Sequence, residues 1–95
     1  MLVKKAYLER VVDEVEDLAA RIALLKTRLA KQSIGVKMEA YWELEYLRNR
    51  FAEFKRRVEE LEDATDERLD EAEAAVETVW KDVKNTLDSL LEALS

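Results

Sequence analysis

The sequence predicts an all-α fold, a bundle of three antiparallel helices of nearly equal length. Three observations carry this. Leucine, valine and isoleucine return at three- and four-residue intervals, the spacing that keeps one stripe of an α-helix facing a partner. Helix breakers are nearly absent, with no proline and one glycine, Gly35. Charged residues make up 40% of the chain and apolar ones 48%, the balance of slim helices that are greasy on one side.

The first helix is expected over about 2–31. Its seam runs Leu8, Val11, Val15, Leu18, Ile22, Leu25 and Leu29, alternating three and four without interruption. It weakens at Lys31-Gln32-Ser33-Ile34-Gly35. Glycine costs about 1 kcal/mol inside a helix relative to alanine, and serine competes for backbone hydrogen bonds. The second helix is expected over about 36–63, with Leu44, Leu47, Phe51, Phe54, Val58 and Leu61 as its seam. Glu62-Asp63-Ala64-Thr65-Asp66 interrupts the pattern, and Asp63, Thr65 or Asp66 can cap a new start. The third helix, about 66–94, carries Leu69, Ala72, Val76, Trp80, Val83, Leu87, Leu90 and Leu94, widened by Val79 and Leu91. Three equal segments with two short joints suit an up-down-up bundle and a single domain over 1–95.

Charge points the same way. Each of the first two segments is acidic early and basic late, and the third opens on Asp66, Glu67, Asp70, Glu71, Glu73 and Glu77. Turns near residues 34 and 64 then set the basic end of the middle helix between two acidic ends. A second arrangement fits the same pattern. Eleven residues separate Leu29 from Ala40, with Val36 between, so the stripe stays in phase if the helix never breaks at Gly35. Segments one and two then form one long helix, 1–63, and the third returns along it in a swapped antiparallel dimer.

The inventory excludes most chemistry. Without histidine there are no zinc ligand sets, di-iron Glu-x-x-His pairs or Ser-His-Asp triads. Without cysteine there is no thiolate and no disulfide. A single glycine does not make a phosphate cradle. The acids at Asp70, Glu73 and Glu77, and at Glu9, Asp13 and Glu16, read as solvated helix faces, since a calcium loop needs a flexible turn with a glycine at its bend. No catalytic, metal-binding or cofactor-binding residue is expected, and so no enzyme.

Partners are bounded by charge. A net charge of −6 opposes nucleic acid and anionic membranes, and no apolar run approaches the roughly 20 residues of a membrane span. The N-terminal stretch is charged too early for a signal peptide, so the expected compartment is cytoplasmic.

Some apolar residues fall off the seams. Ile34, Met38, Trp42 and Tyr46 are spaced four apart and form a ridge on the second helix, nearly opposite its core stripe. Leu24 falls at the same level on the first helix if the chain turns near 34. These five are the candidate protein-interaction ridge, for another protein or a second copy, with a homodimer expected. Asn49, Glu53, Arg56 and Glu60 continue the outer face as polar surface, confining the ridge to one end.

Aligned without gaps, several blocks resemble a known family: Ala6-Tyr7, Leu25-Lys26, Lys37-x-Glu39, Leu44-Glu45-x-Leu47-Arg48, Val58-Glu59-Glu60-Leu61 and Ala64-Thr65-Asp66. The most specific is Val76-Glu77-Thr78-Val79-Trp80-Lys81-Asp82-Val83-Lys84. The chain resembles short bacterial coiled-coil proteins of stress-response type, whose function is unknown. That resemblance implies the helical fold, a bacterial source and a loose link to stress. It departs from the family at Leu69 and Ala75, where tryptophan and glycine are common, and in the heavy middle seam of Phe51 and Phe54 beside Trp42. The expected role is non-enzymatic protein association or structural support; the alternative is an amphipathic helical coat on a lipid or polymer surface.

Overall fold

The computed structural model describes residues 2–94, with side chains from residue 4 onward. It contains α1 (Leu2–Ala30), α2 (Ile34–Asp63), one 3-10 turn (Asp66–Arg68) and α3 (Leu69–Ala93). The chain is 93% helical, with no strand among the described residues, which makes it an all-α helical bundle.

Cross-helix contacts fix the direction of each element. Lys4 Nζ donates to the carbonyl oxygens of Glu62 and Ala64, so α1 begins where α2 ends. Tyr7 donates to Glu77 and Arg21 to Asp88, so α1 and α3 run the same way. The result is an up-down-up rod of 50 × 19 × 16 Å.

The seams meet along the rod axis. Val11, Leu18, Ile22 and Leu25 of α1, Leu47, Phe54, Val58 and Leu61 of α2, and Val76, Val79, Val83, Leu87 and Leu90 of α3 are buried. Leu8, Val15, Leu29, Leu44, Phe51, Leu69, Ala72, Trp80, Leu91 and Leu94 pack against them, partly covered. No charged or polar residue is buried among those described, so nothing but apolar packing decides the interior. Helices α2 and α3 run closest together, with α1 standing further off from both. Ala72 and Ala75 of α3 line an open groove with Arg57 and Glu60 of α2.

The chain turns before Gly35 rather than at it. Helix α1 stops at Ala30, and Ser33 caps α2 with its hydroxyl accepting from the Val36 amide at 3.3 Å. This corrects two expectations. Helix α2 begins at Ile34 rather than 36, with Gly35 already inside it and its φ not positive. The continuous helix over 1–63 is not formed, because extended backbone at Ser33 (φ −64°, ψ 161°) breaks it. The second joint is also longer than expected. Extended residues at Ala64 and Thr65 lead into the 3-10 turn, and α3 proper starts at Leu69 rather than 66.

Ion pairs are distributed differently from the charge pattern. At the basic end of α2, Arg56 and Arg57 pair with Glu53 and Glu60 of their own helix rather than reaching the acidic ends of α1 and α3. Partners one helical turn away are simply nearer. Bridges between helices include Arg10 with Glu77, Arg21 with Asp88 and Arg50 with Asp82.

Candidate interaction surface

The surface begins with the cap. Ser33 sets the phase of α2, so its first three turns carry apolar residues on both faces. Val36, Ala40 and Leu44 turn toward the bundle, whereas Ile34, Met38, Tyr41 and Trp42 turn away. Exposure reaches 75% at Ile34, 70% at Met38, 52% at Tyr41 and 76% at Trp42. The Tyr41 and Trp42 rings meet edge to face at 5.1 Å, which holds the tryptophan against its own helix with a large part of its surface in solvent.

Of the ridge read from the sequence, Ile34, Met38 and Trp42 stand together and open. Tyr46 stands beside them but is engaged within the chain. Its hydroxyl donates to Asp82 Oδ2 at 2.6 Å, and Arg50 Nε donates to the same oxygen at 2.7 Å. This junction ties α2 to α3. The Tyr46 hydrogen bond, helped by the Arg50 guanidinium, holds the Asp82 carboxyl below the usual carboxylate range. The same hydrogen bond to Asp82 raises the Tyr46 phenol above its ordinary value. Trp42, Glu43 and Tyr46 of α2, with Thr86 and Ser89 of α3, line an open groove of about 410 Å³ along that seam.

Leu24 is exposed, but on another face. The residues of α1 that line its groove with α2 are Ala19, Ile22, Ala23 and Lys26, whereas Arg21 reaches Asp88 on α3. Leu24 follows Arg21 by three residues and so lies to the α3 side, away from the α2 ridge. Tyr41 takes the place that Leu24 was expected to fill. Its signal was present in the sequence, three residues after Met38 and seven after Ile34, on the same flank of the helix.

A cleft of about 310 Å³ lies between α1 and α3, lined by Val11, Phe54 and Val76 together with Arg10, Glu14 and Glu77. Tyr7 bridges one end of that seam by donating to Glu77 at 2.6 Å, and burial, then that hydrogen bond, push its phenol well above the ordinary value. No group of three or more metal-ligating side chains occurs among the described residues. No helix among them is long and apolar enough to cross a membrane.

No family model, curated protein or solved structure matches this chain. The surface is apolar and aromatic, with Lys37 and Glu39 on its flanks.

Proposed function

We propose that this chain is a non-enzymatic protein-association module that works through the outer face of the first three turns of α2. Trp42 carries the reading, as the most exposed of the large apolar side chains among the described residues and a member of a contiguous set with Ile34, Met38 and Tyr41. Fully burying one such side chain is worth about 1.5–3 kcal/mol, so a face with four of them has a strong drive to be covered. Aromatic residues and methionine are also the types enriched at protein contacts. The bacterial and stress-associated setting implied by the resemblance is part of the same proposal, as are a cytoplasmic location and a dimeric state.

The empty catalytic inventory supports a binding role over an enzymatic one, and the charge of −6 disfavours nucleic acid and anionic lipid as partners. A photo-crosslinking amino acid at position 42, in the cell that makes the protein, tests the reading. Protein adducts formed at position 42 but not at Arg56, on the same outer face further along α2, support it. Adducts absent from position 42, or equal at both positions, overturn it. Co-flotation of the purified chain with vesicles at physiological salt would replace it with the surface-coat alternative.

A further inference from the structure

The exposed set on α2 is arranged symmetrically about one residue. Ile34 and Gly35 precede Met38 by four and three positions, and Tyr41 and Trp42 follow it by three and four. Residues seven apart lie two turns along the same flank of a helix, so Ile34 shares one flank with Tyr41, and Gly35 shares the other with Trp42. When two copies of a helix pack antiparallel about a two-fold axis, each flank meets itself reversed. With the axis at Met38, Trp42 of one copy lies over Gly35 of the other, Ile34 meets Tyr41, and Met38 meets Met38. A large ring is set over the one position without a side chain.

Gly35 is otherwise unexplained by the fold. Its φ is not positive, it lies within α2, and a Cβ there would meet only the Ser33 Oγ at 3.9 Å. Alanine would serve the isolated chain at least as well. Area agrees as well. Four side chains exposing half or more of their surface offer on the order of several hundred Å², approaching the ~800 Å² per partner of a standard interface once their rim is counted. No charge lies on the central stripe from Ile34 to Trp42, so closing it strands no ion. Spacing of four along Ile34, Met38 and Trp42 is also the ridge that packs helices at a steep crossing, which confines contact to a few turns. The polar outer face beyond residue 46 is consistent with such a short contact.

We propose that the partner of this face is a second copy of the same chain, crossed antiparallel over α2 about a two-fold axis at Met38, with Trp42 seated on the partner's Gly35. This rests on the reading of α2 as an association surface and specifies its occupant. The sequence has no cysteine, which makes the test clean. Met38→Cys should give a disulfide-linked dimer of twice 11.1 kDa under mild oxidation, at least about tenfold faster than Asn49→Cys further along the same outer face. Gly35→Gln, which fills the hole with a good helix former, should weaken the dimer about tenfold or more in light scattering while helix content by circular dichroism is kept. A wild-type chain that is monomeric at tens of micromolar overturns the proposal, as does a dimer that Gly35→Gln leaves intact. Equal cross-linking of Met38→Cys and Asn49→Cys overturns it too. Adducts at position 42 to a different protein, with the purified chain monomeric, would remove the second copy and leave the association surface standing.

Discussion

Trp80 holds a buried polar side-chain atom that no protein group satisfies, its indole Nε1, in the middle of an otherwise apolar seam. Lys84 Nζ lies 5.4 Å from its ring centre, so the ring is covered by a cation while its own donor goes unused. An unsatisfied buried donor costs about 1–3 kcal/mol. Trp80→Phe deletes that donor and keeps a ring, so its cost should be under about 1 kcal/mol, far below the ~3–5 kcal/mol of tryptophan truncated to alanine. Denaturant midpoints decide it, and a loss near the alanine value would mean that the nitrogen is satisfied in solution. Asp82 shows how a surface group acquires consequence from two neighbours. Its folded pKa is depressed, so the stability it contributes is fully present above the ordinary carboxylate range and is lost as pH falls through the folded value. Asp82→Asn should therefore flatten the stability curve below about pH 4, and it should also soften the alkaline limb, because Tyr46 owes its raised value first to that carboxylate. The alkaline limb belongs to the phenols. Tyr7 and Tyr46 have raised values in the folded chain, so their contribution is present at neutral pH and lost as pH rises beyond about 10. Tyrosinate absorbance rising together with loss of helix would confirm the coupling; Tyr7 titrating at the ordinary value in the intact fold would refute it.

At the level of elements, the two joints were legible in kind but not in place. Serine and glycine at positions 33 and 35 mark a break, yet either one can be the breaking residue. The outcome turned on a cap, since only Ser33 can offer an oxygen to the Val36 amide, whereas a glycine near a helix start is tolerated. Ser33→Ala should cost about 0.5–2 kcal/mol by thermal unfolding, and no loss would show that the turn is held by packing alone. The second joint was harder to read because Thr65, at the N-cap position, makes no side-chain cap bond, and a 3-10 turn leaves no mark on apolar spacing. The ridge divides in the same way. Spacing placed Ile34, Met38 and Trp42 outward, and they are outward. That Tyr46 reaches Asp82, or that Leu24 turns toward α3, depends on how each helix is rotated against its neighbours, which periodicity within one helix does not encode.

Across the whole molecule, the three helices are unequal partners despite similar lengths. Helices α2 and α3 lie closest, are joined by the short segment through Ala64 and Thr65, and share the Tyr46–Asp82–Arg50 junction. Helix α1 stands off from both, with Leu8, Val15 and Leu29 of its seam only partly covered. Its polar ties to the others include Lys4, Tyr7, Arg10 and Arg21, all toward the rims of the rod. The exposed Arg10–Glu77 pair contributes little and the bonds of Lys4, Tyr7 and Arg21 are few, so α1 is held mainly by Val11, Leu18, Ile22 and Leu25. Local opening follows the density of buried contacts, so α1 should detach below the free energy of global unfolding. Native-state hydrogen exchange should then show the amides of α1 exchanging together and faster than those at the centres of α2 and α3. Leu18→Ala should widen that gap, because it loosens α1 at a cost of about 2–5 kcal/mol, whereas Leu87→Ala in α3 should lower protection everywhere. Equal protection in all three helices would show a single cooperative unit, in which the wider spacing of α1 carries no energetic meaning.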